Sequence, residues 1–250
     1  MLVLLMQHLL EKIEHRPFPL PARPWIMTQV WHDLLFAHWP IAPEQIRPLL
    51  PAPLELDLFE GSAWAGVVPF HMSGICGRGL PPIPGCRAFP ELNVRTYVRY
   101  NGIPGVYFFS LDADSSLGVW GARMTYSLPY FKARMAVKND GDRIIYNSSR
   151  LGAQAEFKAS YRPTSPPEQR KAGSLEHFLT DRYCLYTVSR RGEAVRRAVI
   201  HHLPWPLQNA EAAIAVNTVA AAAGISLPQT PPILHFSKRL EVLVWWPERL

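Results

Sequence analysis

Little of this sequence is charged. Asp, Glu, Lys and Arg make up 18% of its 250 residues. The net charge is +6, but the basic residues are scattered, with pairs such as Arg190-Arg191 and Arg196-Arg197 and no long basic run. Nucleic-acid binding ordinarily needs a clustered basic patch or a recognised module, so this composition argues against a nucleic-acid partner. Cysteine is scarce too. Cys76, Cys86 and Cys184 form no CxxC pair, which speaks for free thiols in a reducing cytoplasm. A Cys76–Cys86 bridge across "GRGLPPIPG" is sterically conceivable but not favoured. Long apolar runs are missing. The opening "MLVLLM" is six residues long before His8, Glu11 and Lys12 intervene, too short to span a bilayer. It has no basic n-region and no small-residue cleavage site, a poor fit to a signal peptide. No GxSxG, P-loop or dinucleotide fingerprint occurs, and "GVWGAR" does not match a phosphate cradle. His201 and His202 are adjacent, so on a strand they point to opposite faces. No metal or other cofactor is expected.

What the chain does have is proline, 25 residues of it, about twice the usual ~5% share. The prolines fall in short clusters that punctuate brief elements. Most of the middle has strand character. Trp64 to Met72 is a β-rich apolar run. "ELNVRTYVRY" alternates, with Leu92, Val94, Thr96 and Val98 on one face and Glu91, Asn93, Arg95, Tyr97 and Arg99 on the other. "GVYFFSL" is apolar on both faces. Asp140-Gly141 separates two alternating runs, a hairpin signal. "AQAEFKASYR" continues the meander and "LEVLVWW" closes it. Helices are expected at "PEQIRPLL", at "SLEHFLTDRY" behind Ser174, and at the Ala-rich "NAEAAIAVNTVAAAAG" ending on Gly224. Leu2, Leu5, Met6, Leu9 and Ile13 recur at helical spacing, so a helical extension is expected at about 1–24, against the body or a partner subunit. Many antiparallel strands with short turns make a mainly β, single-domain chain of residues 1–250, a barrel or sandwich with a few outer helices.

The chemistry turns on two polar stripes. In "LPYFKARM", Phe131, Ala133 and Met135 share one face, and Tyr130, Lys132 and Arg134 share the other. The second face is either solvent or the lumen of a barrel, because inward and outward positions alternate along a barrel strand. The stripes mix acid, amide, cation and phenol beside strongly apolar strands, which suits a small anionic ligand in a pocket. A buried Lys132 with Arg134 nearby would have its charged form disfavoured. The neutral amine could then attack a carbonyl and form a Schiff base.

Taken together, "DLLFAHWPI", "IRPLLPAPLELDLFEGSAWAGVVPF", "FPELNVRTYV", "FFSLDA", "LPYFKARM", "SLEHFLTDRYCLY" and "HHLPWPLQ" resemble the YqjF-like family of bacterial proteins. That family is similar, more distantly, to acetoacetate decarboxylase. The resemblance implies a closed or nearly closed β-barrel around a small pocket. It also implies a decarboxylase-like role on a keto acid or related carbonyl compound, with Lys132 as nucleophile and Glu91 in proton transfer. Arg134, Arg95 and Arg123 would hold a carboxylate, and Asn93, Tyr97, Tyr126 and Tyr130 would line the pocket. The residue after Lys132 is Ala133, where the decarboxylase carries a second lysine. Two rivals stand beside the enzyme reading. One is a non-catalytic small-ligand-binding protein on the same barrel. The other is an assembly role, with the N-terminal helix and Trp245-Trp246 forming a homo-oligomer contact.

Overall fold

A computed structural model describes residues 6–80, 88–114, 128–189 and 194–250. Its strands are β1 (Met27–Ile41), β2 (Glu55–Leu56), β3 (Ala63–Gly77), β4 (Ala88–Tyr100), β5 (Ile103–Ala113), β6 (Tyr130–Asp140) and β7 (Arg143–Arg150). They continue with β8 (Glu156–Pro163), β9 (Cys184–Val188), β10 (Val195–His201), β11 (Gln208–Asn217), β12 (Ile233–Val244) and β13 (Glu248–Arg249). Among the described residues two short α-helices stand between them, α1 (Pro43–Ile46) and α2 (Leu175–Thr180).

The pairings β4–β3–β1–β12–β10–β9–β5 return to β4, closing a ring of hydrogen bonds. A second set, β6, β7, β8 and β11, leaves β5 and rejoins the ring at β12. The expected antiparallel pattern holds for most of this sheet, but β5 pairs in parallel with both β6 and β9. Because side chains alternate across a strand, each ring strand faces two ways. Leu34 and Phe36 of β1, with Val68, Phe70 and Met72 of β3, point into the ring. Leu35, Ala37, Val67, Leu92 and Val94 point the other way, onto Tyr146, Phe157 and Tyr161 of the second set.

Local signals explain several ends. Gly141 takes φ +63° between β6 and β7, the left-handed conformation that the turn requires. The Ser174 hydroxyl accepts from the His177 N–H and caps α2. Two expectations need correction. The Ala-rich segment is not a helix. Gln208–Asn217 is β11, half-buried at alternate positions, with only Ala221–Ala223 turning as a short helix before Gly224. Pairing with β8 outweighs alanine's helix propensity here, because Ala210, Ala212 and Ile214 at period 2 pack on the core. The N-terminal extension is helical only at Gln7–Glu11 among the described residues. Pro17, Pro19, Pro21 and Pro24 remove the backbone donors and the freedom that a helix needs beyond it. No described helix is long and apolar enough to cross a membrane.

Candidate active site

β4 carries the site because both of its faces are buried. Glu91, Asn93 and Arg95 alternate with the core residues Leu92 and Val94, and their exposures are only 3%, 4% and 9%. All three line a cavity of about 140 Å³ inside the ring. A β-bulge shapes the adjoining wall, on β5. Val94 pairs with Ser110 but Arg95 with Phe108, so the face parity of β5 changes between them. Phe108 and Leu111 therefore both look into the cavity, with Phe70, Met72 and Trp205 completing its apolar lining.

At one end, the Tyr130 hydroxyl donates to Glu91 Oε2 at 2.7 Å. Burial pushes the Glu91 carboxyl up to about 7, with the Tyr130 hydrogen bond opposing this and the negative charge of Asp112 adding to it. Asp112 lies on the other face of β5, tied to Arg150 at 2.7 Å, and the Arg150 guanidinium covers the Phe131 ring.

At the other end, the C-terminal carbonyls of α2 are claimed one by one. Arg182 Nε donates to Phe178 O at 2.7 Å, Tyr97 Oη to Leu179 O at 2.6 Å, Arg95 Nη2 to Leu179 O at 3.2 Å, and Trp205 Nε1 to Thr180 O at 2.8 Å. Cationic side chains suit a helix C-terminus, and here they anchor α2 across the end of the cavity. Arg182 is also paired with buried Asp57 at 2.5 Å. His38 Nε2 lies 2.6 Å from Tyr97 Oη. The single hydroxyl proton goes to Leu179 O, so His38 is the donor, a neutral Nε2–H imidazole. Full burial lowers its pKa well below the usual value, and the charge of Arg95 lowers it further.

The structure thus brings Glu91, Asn93, Arg95 and Tyr130 together on one cavity and leaves the other described candidates, Lys132, Arg134 and Tyr97, off its lining. Lys132 shares the face of Tyr130, as its alternation implies, and stands in one cross-strand row with Glu91 and Ala113. Its amine is not among the groups lining the cavity. It is 36% exposed and bonds to Asp114, through the backbone carbonyl and the carboxylate at 3.2 Å. A hydrated ammonium on a long flexible stem is cheaper to keep at a wet acid than in an apolar lumen. Arg134 is exposed further along β6. Tyr97 is buried beneath the site, holding His38 and α2, and does not line the cavity. Arg123, Tyr126 and Cys86 lie outside the described residues. Trp245 is buried, with its indole N–H on Arg23 O, so of the tryptophan pair only Trp246 reaches the surface. Among the cavity residues that sequence reasoning missed are Thr180, Arg182, His202 and Trp205. They lie in "SLEHFLTDRYCLY" and "HHLPWPLQ", distant in sequence from β4, and no local pattern marks their direction.

A ring of strands around a mostly apolar cavity with a few converging polar groups is the architecture of the acetoacetate decarboxylase-like fold. The chain belongs to the DUF2071 family of uncharacterized conserved proteins, whose model matches residues 28–241. It is 50% identical to the uncharacterized protein YqjF of Bacillus subtilis (strain 168), over 94% of this chain and 97% of that one. Among solved structures it is similar to acetoacetate decarboxylase from Legionella pneumophila, with a TM-score of 0.62, 13% identity and coverage of 95% of this chain and 93% of that one. It is equally similar to the enduracididine biosynthesis enzyme MppR complexed with pyruvate, with a TM-score of 0.62, 12% identity and coverage of 94% and 93%. At these identities the likeness is one of fold.

Proposed function

We propose that this chain is an enzyme that moves a proton on a small carbonyl compound held in the cavity, with Glu91 as the acid–base group. One observation carries this reading: a fully enclosed carboxyl on the cavity wall, held near 7 and oriented by Tyr130. A group that titrates near the working pH is well placed both to give and to take a proton. The protonated carboxyl donates to a substrate carbonyl oxygen, and the carboxylate removes a proton from the adjacent carbon. Tyr130 holds the carboxylate oxygen in both states. The wall is mostly apolar, so the charge that develops is stabilised chiefly by these placed groups. The fold neighbour MppR was solved with pyruvate, a small carbonyl compound, which is in keeping with this class of ligand.

A second reading, imine formation at Lys132, is favoured by its register. It shares a row with Glu91 across the small Ala113, and two strand spacings put the outer Cα atoms roughly 10 Å apart. A rotamer change that releases Asp114 would bring the amine toward Glu91. The test is the exchange of α-protons of a ketone panel in deuterated buffer, followed by NMR. Glu91→Gln should slow exchange by about 10²–10⁴-fold. Borohydride trapping with the same ketones reports on Lys132, through an adduct that is lost in Lys132→Met. If ligands raise the melting temperature but neither exchange nor adduct occurs, the pocket is that of a binding protein and the enzyme reading falls.

A further inference from the structure

The groups on β4 also limit the shape of the ligand. Glu91 and Arg95 are four residues apart on one face, so their Cα atoms stand roughly 13 Å apart at ~3.3 Å per residue. Both line the same cavity. Arg95 is more than nine-tenths buried, at 9% exposure. Among the described residues it pairs with no carboxylate. Nη2 reaches only the Leu179 carbonyl, and Nε has no partner. The nearest comparison is Arg182, which lines the same cavity but has an ion-pair partner in Asp57, shared with Arg99. A buried cation held only by one carbonyl and by the faces of the Phe36 and Tyr97 rings, with no opposite charge beside it among the described residues, is costly, and an entering anion removes that cost. Asn93 stands between the two ends, and its buried Oδ1 also lacks a partner among the described residues, leaving an acceptor midway.

We infer that Arg95 is the anchor for the carboxylate of a two-ended monoanion, whose far end presents a carbonyl to the Glu91–Tyr130 pair. This rests on the proton-transfer reading for the far end only; the anion subsite stands on Arg95 itself. It selects against the shortest keto acids. In a β-keto acid the carboxylate and ketone carbons are two bonds apart, about 2.5 Å, too close to reach both ends of the site. An acid with its ketone several carbons away, such as 6-oxoheptanoate, lays an apolar chain along Phe70, Phe108 and Trp205. The cavity of about 140 Å³ is close to the size that holds a single aromatic ring in an engineered apolar cavity, so the chain between the two ends is short and unbranched, or one ring.

Isothermal titration below pH 7, where Glu91 is protonated, tests this with 6-oxoheptanoate, its methyl ester and acetoacetate. The long acid should bind at least about tenfold more tightly than either of the others, a difference of about 1.4 kcal/mol. Arg95→Met should reduce the acid to the affinity of the ester, and Arg95→Lys should keep the preference in part, which separates charge from folding. Glu91→Gln should leave the acid-over-ester preference intact while α-proton exchange is lost. The inference is overturned if acetoacetate binds as tightly as the long acid, if Arg95→Met still prefers the acid, or if the wild-type chain binds neither acid. If the preference follows Arg95 but Glu91→Gln leaves exchange unchanged, the anion subsite stands and the proton-transfer reading falls.

Discussion

The two sides of β4 are equally buried and chemically unlike. Leu92, Val94 and Val98 meet Tyr146, Phe157 and Tyr161 in a filled core. Glu91, Asn93 and Arg95, one residue out of step with them, meet empty space. The filled side contributes burial energy with little polar cost. The hollow side carries a raised carboxyl, an unpaired guanidinium edge and an unpaired amide oxygen. Each of these is unfavourable in a free protein, and each is sustained by the stability of the other side. One strand therefore does both jobs, scaffold and site, by alternation alone.

The sharpest test of this contrast compares Leu92→Ala with Leu111→Ala. Both leucines are almost fully buried, and such truncations cost about 2–5 kcal/mol. Leu92→Ala should fall toward the top of that range, because it opens a new void in a filled core. Leu111→Ala should fall toward the bottom, because its neighbours already border the cavity. Equal losses by denaturant titration would mean that the cavity side is packed as tightly as the other.

Next in size is a pH effect. The Glu91 carboxyl is raised from 4.5 to about 7 in the folded chain. Below pH 4.5 both folded and unfolded forms hold the proton, and there is no difference. Between 4.5 and 7 the unfolded chain releases a proton that the folded chain retains, so stability falls as pH rises. The loss is about 3 kcal/mol in total, at ~1.4 kcal/mol per pH unit. Glu91→Gln should flatten this limb in melts across the range. A parallel slope in the variant would assign the pH dependence to other groups.

A smaller effect is expected where the two sides meet. A Cβ on Gly105 would lie 2.6 Å from the Tyr186 ring and 2.8 Å from Cys184 Sγ. Tyr186 belongs to the filled core and Cys184 lines the cavity. Gly105→Ala should cost about 1–3 kcal/mol by overpacking, and ligand affinity should fall with it if the strain passes into the cavity wall. The smallest effect belongs to Lys132→Met. Its ion pair with Asp114 is partly exposed, and such pairs contribute about 0–1 kcal/mol. A loss well above that in a thermal melt would show the lysine to be buried and coupled to the site.

Much of this was legible in the chain. Strict alternation in "ELNVRTYVRY" put Glu91, Asn93 and Arg95 on one face, and the structure keeps them there. The Asp140-Gly141 turn and the Ser174 cap were equally readable, because turn and cap chemistry is local. The Ala-rich segment misled because helix propensity is weak, and the partner strand that overrides it lies some fifty residues earlier in the sequence. Arg182 and Trp205 went unnoticed as cavity residues because α2 and the segment after β10 fold back over the ring.

The sequence alone thus determined the strand content, the phase of each alternation and which residues travel together on a face. It did so because period-2 geometry is a property of the backbone. It did not determine what each face looks at. Only ring closure made the Glu91 face a cavity and not a wet surface. Only the tertiary structure sets the Lys132 amine on Asp114 and off the cavity lining, while Tyr130, two residues before it, points at Glu91. Those outcomes depend on pairings between distant strands and on the relative cost of burying a charge, and both are set by tertiary structure.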